Sequence, residues 1–208
     1  MEGGLKKIML YKRLKTLYDD NKVLAEDYPL DEYYPLLQSF ITREVSLGAE
    51  YLSPYRFALF YAKSPKDIIR FFLGLSDSED IIEQRYKYQC EECGTINILK
   101  DEESLFNFKC YECGEEELLT KKDYLSEVKL LFKINEELLE EVEEGLKANP
   151  LSNETPMSSA VLEGEKNIGM DVEVSIESAG DSVYKKGVPV SENQKKRSER
   201  IKQHRTLL

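Results

Sequence analysis

Tryptophan is absent from this 208-residue chain, histidine occurs once, and no apolar run is long enough to span a bilayer. The first twenty residues also lack an apolar core of signal-peptide length, so the sequence predicts a soluble, cytoplasmic or otherwise intracellular protein with no membrane partner. There is no phosphate loop of the Walker type, no G-x-S-x-G elbow and no metal-binding His-Glu pair. The single histidine, His204, sits near the end of the chain without neighbours that would orient it. Carboxylates are plentiful, but runs such as Glu115–Glu117 and Glu140–Glu144 read as solvated faces. With no catalytic constellation and no evident small-molecule substrate, the chain reads as a non-enzyme.

Cysteine is scarce as well, and all four lie in one stretch, "CEECGTINILKDEESLFNFKCYECG", residues 90–114. The spacing is Cys90-x-x-Cys93, sixteen residues, then Cys110-x-x-Cys113, with Gly94 and Gly114 after the second cysteine of each pair. A Cys-x-x-Cys turn offers two sulfurs from one tight knuckle, and Zn²⁺ prefers four thiolates in a tetrahedron. Glycine after the second ligand allows the positive φ such a turn needs. Four cysteines leave no open position for water, so the expected cofactor is one structural zinc in a ribbon over 86–119. An iron–sulfur centre is the competing use of four thiolates.

Net charge is −11, yet residues 185–208 carry +6, which leaves −17 on the rest. An acidic body discourages nonspecific binding to phosphate backbones. Within the basic end, Lys195, Lys196, Arg197 and Arg200 are the candidate anion binders.

The predicted elements give an α+β fold. Leu10, Leu14 and Leu17 mark a helix over 5–18, and a second helix is expected over 31–47 with Asp31 as cap and Gly48 as stop. Ser53-Pro54 and Ser64-Pro65 each pair an N-cap with proline at the first helical position. They predict two short helices, about 54–62 and 65–75. Ala49–Leu52 before them and 81–89 after them read as strands. That order gives a winged-helix-like domain over 1–85. A long acidic amphipathic helix is expected over 124–147 within 120–149. Residues 150–208 lack Phe and Trp and are expected to be a disordered tail with a basic C-terminus.

Two apolar features have no place in this scheme. In "SPKDIIRFFLGLS", if Ile68, Phe71, Phe72 and Leu75 face the core, then Ile69 and Leu73 point elsewhere and suit a protein partner. In "GMDVEVSIES", Val172, Val174 and Ile176 alternate with polar residues, as in a strand that adds to a partner's sheet. Arg85 and Lys87 flank Tyr86 and Tyr88, a pattern that would let a wing touch nucleic acid.

A winged helix leading into "YQCEECG…FKCYECG", then a helix and an acidic-to-mixed tail, resembles the alpha subunit of transcription factor E and its archaeal counterparts. The resemblance covers roughly residues 30–148, and the four cysteines alone match residue by residue. It implies a non-catalytic role helping RNA polymerase open promoters, largely through protein contacts. The expected function is therefore a zinc-binding adaptor or regulatory subunit within a larger complex. The alternative is a nucleic-acid-binding transcription regulator.

Overall fold

Serine hydroxyls and prolines start two helices as their chemistry dictates. Ser53 Oγ accepts from the Arg56 amide and Ser64 Oγ from the Asp67 amide, and each proline follows where no backbone donor is needed. The computed structural model describes residues 3–121, 124–148 and 173–206. Five helices open the chain: α1 (Gly3–Asp20), α2 (Lys22–Asp27), α3 (Leu30–Ser46), α4 (Pro54–Phe60) and α5 (Pro65–Leu75). Asn21, between α1 and α2, caps α2 by accepting from the Leu24 amide at 2.9 Å. Asp31 lies inside the first turn of α3, whose N-cap is Pro29. Gly48 follows α3 at φ +80°.

The sheet is antiparallel, in the order β1 (Tyr51–Leu52), β6 (Lys129–Ile134), β2 (Ile82–Gln89), β3 (Ile96–Leu99). Alternate residues of β2 and β6 are buried, so one face carries Ile82, Gln84, Tyr86, Tyr88, Leu130, Phe132 and Ile134. The helices pack on that face, where Phe72 of α5 meets Phe132 edge-on at 5.4 Å between ring centroids. A fully buried side chain of this kind stabilises the fold by roughly 1.5–3 kcal/mol.

The remaining elements are α6 (Glu103–Phe106), β4 (Phe108–Lys109), β5 (Glu116–Glu117), α7 (Glu136–Ala148), β7 (Val174–Ser175), α8 (Ile176–Ser182), β8 (Tyr184–Lys185), β9 (Val188–Pro189) and α9 (Glu192–Thr206). Three expectations are corrected here. The long helix over 124–147 is instead strand β6 followed by α7, because Leu130, Phe132 and Ile134 alternate into the core. Residues 173–206, expected to be disordered, form β7 to α9. The expected boundary at 85/86 falls inside β2, and β6 ties residues beyond 120 to β1 and β2.

Ile69 and Leu73 are buried, and so is every residue of α5 from Ile68 to Leu75. A helix apolar all round belongs in an interior. Its second face is covered by α8 of the chain itself. Val174 and Ile176 are buried too, and β7 adds to β6 at Lys129 and Leu130, beside the positions β1 occupies. The strand addition expected for a partner takes place within the chain. Val172 lies outside the described residues.

Candidate metal centre

Each cysteine pair closes its own hairpin. Cys90–Cys93 lies in the turn between β2 and β3, and Cys110–Cys113 in the turn between β4 and β5. The two knuckles of the expected ribbon thus sit on two separate hairpins, with α6 between them. Their backbones repeat one another. Cys90 N donates to Thr95 O at 2.9 Å and Gly94 N to Cys90 O at 2.8 Å; Cys110 N donates to Glu115 O at 2.8 Å and Gly114 N to Cys110 O at 3.0 Å. Gly94 and Gly114 have φ of +72° and +75°, the left-handed region that glycine enters without strain.

This geometry brings all four thiols together. Their Sγ atoms lie within 4.8 Å of one another, with Cys90 to Cys113 at 3.7 Å and Cys93 to Cys110 at 3.6 Å. No disulfide joins them. Cys90 and Cys110 are buried while Cys93 and Cys113 are exposed, which places the centre at the surface. Four cysteines so arranged can hold one metal ion. Among the described residues they form the one such group of His, Cys, Asp or Glu side chains.

The surroundings favour thiolate at two positions. The amides of Cys113 and Glu112 and the Asn97 side chain hold the Cys110 thiol down at about 6. The Thr95 hydroxyl and amide lower Cys93 as well. Asn97 is a residue that motif spacing does not reveal. It is buried, donates to Cys110 Sγ at 3.7 Å and accepts from the Tyr111 amide at 3.3 Å, so one side chain bridges the two knuckles. Its signal in the sequence is a lone polar residue between Ile96 and Ile98.

The second hairpin is seated on the sheet by aromatic packing. Tyr88 meets Phe108 edge-on at 5.1 Å, and its hydroxyl donates to Glu117 at 2.6 Å. Tyr86 and Tyr88 therefore face the core, and Arg85 and Lys87 project from the opposite side of β2. There Arg85 pairs with Glu83, and Lys87 pairs with Glu173 at 2.6 Å. At the other end of the chain, Arg197 bonds Gln84 at 2.7 Å and lies 3.6 Å from Glu102, which also pairs with Arg200. Lys195 pairs with Glu192 at 3.5 Å, and Lys196 is exposed on α9. The six candidate nucleic-acid residues are thus split between two elements, and five of them, all but Lys196, are paired with carboxylates within the fold.

No helix among the described residues is long and apolar enough to cross a membrane. In comparison with known proteins, the chain matches no family model, no curated protein and no solved structure.

Proposed function

We propose that this chain is a non-enzymatic, zinc-binding adaptor or regulatory subunit that works through protein contacts. Cys90, Cys93, Cys110 and Cys113 would hold one structural zinc. Tetrahedral Zn–S bonds of about 2.3 Å require sulfurs about 3.8 Å apart. The 3.7 and 3.6 Å separations support that ion. The metal supplies a cross-link between two hairpins too small to fold alone, so its binding energy is folding energy.

One observation carries the adaptor reading: Ile96 is 50% exposed and Ile98 47%, on the same side of β3 and directly after the first knuckle. Opposite them on β2 stand Gln89 and Lys87. Paired aliphatic side chains on a strand pinned by a metal offer a rigid apolar anchor, which Ile69 and Leu73, being buried, do not. In this reading α3, β1, α4, α5 and β2 form a winged-helix-like scaffold and the two knuckles a divergent zinc ribbon. A role beside RNA polymerase, like that of the transcription factor E alpha subunit, fits the reading as one choice of complex.

Nucleic-acid binding has less support, because Arg85, Lys87, Arg197 and Arg200 are already engaged by Glu83, Glu173 and Glu102. The test is capture from the native cell with wild type and with Ile96→Ser/Ile98→Ser. A stoichiometric protein partner is expected with wild type and lost from the double variant, which should keep its zinc. Undiminished capture by that variant, or tight salt-sensitive binding of DNA or RNA, would refute the adaptor reading.

A further inference from the structure

Between the sheet and the C-terminal elements lies a cavity of about 180 Å³ that the metal centre does not use. Leu73, Tyr86 and Leu130 line it from α5 and the sheet, and Ile176, Val183 and Ile201 from the C-terminal side. Well-packed interiors leave few voids larger than a water molecule. An engineered apolar cavity of about 150 Å³ stays dry and takes up benzene. A partly open pocket of this size with a mostly apolar lining can admit a small ligand.

The chemistry of the wall narrows the ligand. Gln84 and Gln194 border the cavity, but their amides are committed to each other and to their neighbours. Gln84 Nε2 donates to Ser76 at 2.7 Å and to Gln194 at 3.0 Å, and Gln84 Oε1 accepts from Arg197 at 2.7 Å. Gln194 Nε2 donates to Asp77 at 3.0 Å. A sugar or nucleotide would find these groups spent, so recognition rests on apolar contact. The charged lining residues balance, Glu177 and Asp181 against Arg197 and Lys202, and Arg197 is already held by Gln84 and Glu102, so the wall selects for neither an anion nor a cation. We propose that this cavity binds a small, neutral aromatic or branched aliphatic molecule, and that such a ligand braces α8 and α9 against the sheet. The lining residues run from 73 to 202 in the chain, so no motif announces the site.

The absence of tryptophan makes the test direct, because indole fluorescence then reports the probe alone. Titration of indole into the zinc-loaded full chain should give a saturable blue shift of its emission. The same titration should raise the Tm in a concentration-dependent way. Ala179→Leu and Ser198→Leu, which place a larger side chain on the cavity wall, should each weaken indole binding about tenfold or more. Hydrogen exchange needs no substitution: bound indole should slow the amides of α8 and α9. No saturable shift in the wild type, equal affinity in a folded filled variant, or slowing confined to other elements would each overturn the proposal.

Discussion

Asp77 shows what single residues contribute where the C-terminal helix meets the core. Its carboxylate accepts from Gln194 at 3.0 Å and is close to Ser191 and Arg197, yet burial outweighs these contacts and raises its pKa. A carboxyl raised in the folded state favours folding when protonated. Its contribution is complete below the ordinary carboxylate value and is lost as pH rises through the raised one. Asp77→Asn keeps an acceptor for Gln194 and removes the buried charge. The variant should be more stable than wild type at neutral pH, and the difference should shrink as both are acidified. Urea denaturation at neutral and acidic pH measures it, and a gain that does not depend on pH would contradict the cause given. Arg70 makes a related point. Its side chain is 3% exposed, pairs with Asp27 at 3.3 Å, and donates to the carbonyls of Val183 and Val188. The one cation between Ile68 and Leu75 of α5 thus turns inward, where its fan of donors satisfies carbonyls of the β8–β9 hairpin region.

Among the elements, those set by local chemistry were legible in advance. The Ser-Pro caps, the knuckle glycines and the alternation in β2 depend on neighbours within a few residues. Strand β6 was not legible, because Leu131 and Val128 also fit a helical stripe with the leucines of α7, and Asn135 falls within that stripe. It is a junction: Asn135 Oδ1 accepts from the Leu138 amide and caps α7. The C-terminal elements were hidden by composition. They anchor through Val174, Ile176, Ala179, Val183 and Val190, side chains too small to signal a core by themselves. The surplus apolar face of α5 and the helix α8 that starts at Ile176 are two halves of one contact, and only tertiary packing pairs them. The basic helix α9 is fixed in turn by Glu102, whose side chain is 9% exposed and faces Arg197 and Arg200. Glu102→Gln keeps the shape and removes the charge. A loss of about 1–3 kcal/mol is expected, since the arginines lose their buried partner. Hydrogen exchange should quicken in α9 and stay unchanged in α4; unchanged α9 amides would show that the ion pairs do not hold the helix.

At the scale of the whole molecule, the metal centre and the C-terminus are mechanically linked. The loop between the knuckles carries Glu102 and Phe106, and Phe106 stacks on His204 at 3.8 Å with rings 13° apart. The cysteines hold both ends of that loop, so the seat of α9 depends on the knuckles being closed. The helical core is built from residues earlier in the chain: Leu14, Leu37, Phe40, Phe57 and Phe71 are buried, and Phe57 packs against both Phe40 and Phe71. Chelation of the proposed metal ion at neutral pH should therefore act in two tiers. Amides of 90–119 should lose protection first, as expected when a structural ion is withdrawn. Those in the C-terminal half of α9 should follow, because Arg200 and His204 lose their partners. Protection in α3, α4 and α5 should persist, since local opening free energies differ across one structure. Hydrogen exchange read by mass spectrometry, before and after chelation, resolves the tiers. Loss of protection confined to 90–119 would mean that α9 is held by Gln194 and the cavity wall alone, and simultaneous loss everywhere would mean that the metal sustains the entire fold.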